Sequence, residues 1–219
     1  MCFSATASFI AAGVTGVAGA VALTRTTERR DWPLAAVPLF FAAQQSVEGL
    51  LWLTLPVAPD GPEATGLTLV FLLFAEVFWP VYAPLAALLI EPERWRRRLM
   101  LACTVAGAGV GVWFLGWIIS RPHSAAIVGS HIVYTTGQPQ SDLVGFGYLA
   151  ATGLALLLSS HRAVVALGVI VLAGSVAAYL LYWEAFVSVW CFFAAVASGI
   201  IVFYFERARR ERLRVVAVP

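Results

Sequence analysis

Seven apolar stretches divide the chain, each separated from the next by charges, Pro or Gly. They run Phe3–Leu23, Leu34–Leu55, Gly66–Ile90, Leu99–Ile119, Leu143–Leu158, Ala163–Tyr182 and Ala185–Phe205. At about 1.5 Å per helical residue, their lengths approach the roughly 30 Å of a bilayer's hydrocarbon layer. The pattern predicts an all-α integral membrane bundle of about seven transmembrane helices in a single domain spanning 1–219, with no soluble appendage and no internal repeat. The one sizeable segment outside these stretches is Ser120–Asp142. Within it Ala125–Val128, Gly129-Ser130 and His131–Tyr134 read as a short β-hairpin over the mouth of the bundle, because Gly-Ser between two β-prone runs favours a tight turn.

The charges between the stretches set a direction. Arg25, Arg29 and Arg30 follow the first stretch, Arg94, Arg96, Arg97 and Arg98 the third, Arg162 the fifth, and five further Arg the seventh. The alternate connections carry Asp60, Glu63 and Glu184 but only Arg121. Arg-rich loops stay in the cytoplasm. The expected arrangement is therefore N-terminus outside and C-terminus cytoplasmic, in a multi-pass protein of the cell membrane.

Composition agrees with this pattern. The chain is 61% hydrophobic and 12% charged, about half the charge of an ordinary soluble domain. Its mean hydropathy is +0.86. A core that hid this much apolar surface from water would outgrow 219 residues, whereas a bilayer accepts it directly. Every basic residue is Arg. Without a Lys, a retinal Schiff base is excluded. The three His lie in or beside loops, which fits neither a bis-His haem nor the helix-borne histidines of ceramidase-like hydrolases. Three Cys do not make a disulfide framework. No nucleic-acid partner is expected.

Candidate chemistry rests on the polar residues inside apolar stretches. A carboxylate at mid-helix costs about 2.5–3.5 kcal/mol to insert, so it points to function by default. Glu48 shares one face of the second stretch with Gln44, Gln45 and Trp52. Glu76 lies in the third stretch, four residues before Pro80. A proline there withholds the N–H that would bond the carbonyl of residue 76, and Pro84 does the same to Pro80, which predicts a kink beside the acid. Glu184, Ser188 and Cys191 share a face of the seventh stretch. With Cys2 ahead of the first stretch and His131 in the hairpin, these residues map to the outer half of the bundle. Each also has a plainer reading: a small core Cys191, an ordinary loop His131, a solvated Glu184, and glutamates hydrogen-bonded to Gln44 or Gln45 for packing alone.

The segments Met1–Phe9, Gln44–Gly49, Trp79–Pro84, His131–Tyr134 and Trp190–Ala195 together resemble a bacterial family of multi-span membrane proteins of unknown function. The resemblance covers nearly the whole chain and implies no activity.

The leading expectation is a metal-dependent membrane enzyme with an outward-facing site. Cys2, His131 and Cys191, with Glu184 beside them, would ligate zinc with a position left open. Glu48 or Glu76 would act as an added ligand or as general base toward bound water. The reaction would be hydrolysis or hydration of a small or lipid-like molecule. Two alternatives use the same residues: a non-enzymatic binder, sensor or transporter of a metal ion or proton, and an enzyme whose nucleophile is an N-terminal Cys2 after loss of Met1.

Overall fold

The computed structural model describes residues 4–138, 142–181 and 197–210. Helix α1 is Ala5–Arg25, started by Ser4, whose hydroxyl accepts from the Ala7 N–H at 3.2 Å. A short 3₁₀ turn, Arg29–Asp31, leads into α2, Trp32–Thr54, with Pro33 in its first turn, where a missing N–H costs nothing. Helix α3 is Pro62–Ile90 and α4 is Arg94–Ser120. A hairpin follows, β1 Ser124–Val128 and β2 His131–Thr135. Then come α5, Leu143–Leu157, α6, Arg162–Leu181, and α7 over 197–210.

Among the described residues, four helical segments are long and apolar enough to cross a membrane: Ala5–Arg25, Arg29–Thr54, Pro62–Ile90 and Arg94–Ser120. They coincide with the first four predicted stretches. The fifth and sixth stretches also form helices, with apolar runs of 10–17 residues in their described parts. The seventh lies partly outside the described residues. Only 28% of the α1 span and 17% of the α4 span is buried within the protein, although both are strongly apolar. Val14, Val17, Val105 and Val112 stand out from these helices, as side chains facing lipid would.

Helices meet where a side chain is missing. Gly19 of α1 lies against Leu39 of α2, including its backbone nitrogen, and Gly49 of α2 receives the Phe9 ring. Gly107 and Gly111 of α4 lie under the backbone of α3. A Cβ on Gly107 would overlap the Pro80 carbonyl, and one on Gly111 would stand 3.0 Å from the Val77 oxygen. Gly107 and Gly111, four residues apart, are a small-residue pair that permits this close helix approach.

At the Arg-rich end, two connections are clasped together. Glu91 follows α3 and is almost fully buried. Its carboxylate accepts from the Ser160 N–H at 2.7 Å, the Glu93 N–H at 3.1 Å and the Ser159 hydroxyl at 3.3 Å. The Arg96 guanidinium donates to the Leu158 carbonyl at 2.7 Å. Burial pushes the Glu91 carboxyl upward, but the Ser160, Glu93 and Ser159 donors outweigh it and hold the group below its ordinary value.

At the opposite end the hairpin forms as the sequence predicts. Val128 pairs with His131 and Ser124 with Thr135 around a two-residue turn. Gly129 takes φ +61°, which a tight reversal needs and other residues resist. Ile132 is fully buried, and the Tyr134 ring stacks on Phe71 of α3 at 4.3 Å.

Candidate functional site

The middle of α3 is not a regular helix. From Leu73 to Phe78 it widens to π geometry, and the Trp79 N–H bonds the carbonyl five residues back, at Phe74. Such widened turns concentrate at functional sites. The widening changes which carbonyl Pro80 leaves unpaired. In α register it would be that of Glu76, as the sequence suggests. In π register the residue five back is Ala75. The Tyr148 hydroxyl of α5 donates to the Ala75 carbonyl at 2.6 Å and so replaces the missing N–H. The distortion beside the acid is thus a widened turn held by a tyrosine.

Glu76 sits inside that turn, 7% exposed. One of its oxygens accepts from the Gln138 side-chain amide at 3.2 Å. The other, Oε2, is buried without a partner among the described residues, as is the amide oxygen of Gln138. Gln138 lies three residues beyond β2. The chain leaving the hairpin therefore reaches down to the acid, and the hairpin roofs it.

On α2 the polar face read from sequence is buried. Gln44, Gln45 and Glu48 are all fully inaccessible. The Gln45 amide donates to Glu48 at 3.2 Å, and its own oxygen is buried without a partner. The Gln44 oxygen accepts from the Trp79 indole N–H of α3 at 2.7 Å, which ties the two helices. Trp79 is held from the other side by Phe41, stacked at 4.0 Å. Because α2 and α3 run in opposite directions, Glu48 and Glu76 each lie about one turn from the Gln44–Trp79 bond, toward the hairpin. The two acids therefore occupy one level of neighbouring helices. Trp52, the fourth member of the face, is half-buried, and its indole nitrogen finds no partner.

Among the other residues singled out from sequence, His131 opens β2 and pairs with Val128. Burial lowers its tendency to take a proton. The side chain shown on Glu76 from the hairpin region is Gln138 rather than His131. Cys2, Glu184 and Cys191 lie outside the described residues. Among the described residues, no group of three or more His, Cys, Asp and Glu is placed to hold a metal ion.

Sequence reasoning missed Gln138 and the hydrogen-bonding role of Trp79. Trp79 lies in an apolar stretch where an aromatic gives no signal of its partner, and Gln138 belongs to a loop with no periodicity to place it. The Pro80 and Pro84 spacing did mark the irregular turn.

The arrangement is rich in acceptors. Buried oxygens of Glu76, Gln138 and Gln45 lack donors among the described residues. Such groups are costly to leave unpaired, and a proton, a cation or water would satisfy them.

The chain belongs to a family described as a family of unknown function (DUF6629), whose profile matches residues 1–217. No curated protein and no solved structure matches it.

Proposed function

Starting from membership of a family without an assigned activity, we propose that this is a multi-pass membrane protein that binds a cation at a buried carboxylate pair, Glu48 and Glu76. The observation that carries this reading is Glu76 itself. It is a buried acid in a widened turn, with one oxygen on Gln138 and the other without a partner among the described residues. In this reading the chain crosses the cell membrane seven times with its N-terminus outside, and the hairpin covers the site on the outer side. A cation there offsets the cost of two carboxylates in an apolar interior.

The narrower form of the proposal makes the cation zinc and the protein a hydrolase or hydratase. Cys2, His131, Cys191 and Glu184 supply the metal's ligands, and Glu48 or Glu76 takes a proton from bound water. Elemental analysis of the purified protein beside Cys2→Ala and the double variant Glu48→Gln/Glu76→Gln separates the forms. Zinc lost in both variants supports the narrower one. Metal lost only in the double variant leaves a cation binder built on the glutamates. Equal metal in all three proteins would falsify a metal role for this site.

A further inference from the structure

A second polar region lies at the other end of the bundle. The 3₁₀ turn before α2, the start of α6 and the described part of α7 border an open cavity of about 1160 Å³. Arg30, Arg162 and Arg207 line it, with His161 between them. Asp31 is the one acid among the described lining residues, so their formal charge is three minus one, or +2, with His neutral. Arg30 also contacts Glu28 at 2.7 Å, which leaves its remaining guanidinium N–H groups for another acceptor.

Two further features bear on what the cavity would hold. Ser160 and His161 ahead of α6, and Arg162 and Ala163 in its first turn, line the cavity, and the helix start carries partial positive charge that the Glu91 carboxylate on the Ser160 N–H partly offsets. Part of the lining is apolar, with Ile200 and Phe203 of α7 and Ala163 and Ala166 of α6. A site for a small soluble anion has no use for that apolar part. A ligand with an anionic head and a hydrocarbon body fits both parts. Guanidinium groups match phosphate oxygens in bidentate geometry, and basic pockets between membrane helices suit anionic headgroups.

We propose that this cavity binds an anionic phospholipid, its phosphate among Arg30, Arg162 and Arg207 and the start of its acyl chain along Ile200 and Phe203. The inference requires only that the helices sit in a bilayer and is independent of the carboxylate site.

The test is native mass spectrometry of the full chain released from detergent with phosphatidylglycerol, phosphatidylcholine or inorganic phosphate. Phosphatidylglycerol should remain bound where phosphatidylcholine does not. Arg30→Gln/Arg162→Gln/Arg207→Gln should weaken its retention by about tenfold or more, the scale of one lost charge-assisted hydrogen bond. Arg162 is exposed, so Arg162→Gln alone serves if the triple variant misfolds. Arg98→Gln, exposed at the same end but outside the cavity lining, should retain the lipid. Equal retention of both lipids overturns the proposal. So does an Arg98→Gln loss as large as that of the cavity variants, which would mean general surface attraction. Inorganic phosphate held as firmly as phosphatidylglycerol would give the cavity to a soluble anion and overturn the lipid assignment.

Discussion

The bond from the Trp79 indole to Gln44 ties α2 to α3 one turn below the two acids. Trp79→Phe keeps most of the ring but removes the donor. It should lower stability by about 1–3 kcal/mol, the usual range for disturbing a buried hydrogen bond. A detergent-solubilised denaturation midpoint equal to wild type would show that the bond holds nothing. Glu91 gives a pH-dependent counterpart. Its carboxyl lies below the ordinary 4.5 in the folded chain, so its stabilising share is present above that pH and is lost as pH falls through the folded value. Wild-type stability should therefore drop on acidification below pH 4.5, and Glu91→Gln should flatten that drop while lowering stability at neutral pH. Parallel acid curves for the two proteins would remove Glu91 as the cause. At this scale the sequence revealed the buried glutamates, because charges within apolar runs stand out. It did not reveal Gln138 or the Glu91 clasp. Both depend on partners 62 to 69 residues away, joined through loops that have no periodicity.

At the scale of elements, the distinctive part is the widened turn of α3. Pro80 removes an N–H, the helix opens, and Tyr148 supplies the donor from α5. The next freed carbonyl, that of Pro80, rests on Gly107 of α4, where only a glycine leaves room. Gly107→Ala should therefore destabilise by about 1–3 kcal/mol or more, since backbone rather than a flexible side chain must move. Gly109 on the same helix has no neighbour within 4 Å, and Gly109→Ala should be neutral or stabilise by up to about 1 kcal/mol through helix propensity. Thermal unfolding of the two variants side by side checks this; equal shifts would contradict the close approach. The hairpin was legible because Gly-Ser between two β-prone runs is a local signal. The π turn was legible only as a disturbance. Proline spacing shows that a carbonyl loses its donor, but the register that decides which one depends on α5.

For the whole molecule, hydropathy carried most of the architecture. The first four stretches fall on the four helices long enough to span a bilayer, because lipid selects for long apolar runs. The proposed seven-span topology with the N-terminus outside predicts that a phosphatase fused after Pro219, active only outside the cytoplasm, stays silent while a fluorescent protein there is bright. The reverse pattern would invert the bundle and place the hairpin and both acids toward the cytoplasm. The central claim, a cation held at Glu48 and Glu76, is tested most directly by infrared spectroscopy of the carboxyl stretch in the metal-stripped protein, before and after zinc. A buried acid with no metal holds a proton, because a bare charge there is too costly. The account predicts a neutral-carboxyl band that disappears when zinc is added and is absent in Glu48→Gln/Glu76→Gln. A spectrum indifferent to zinc and unchanged in the double variant would contradict it.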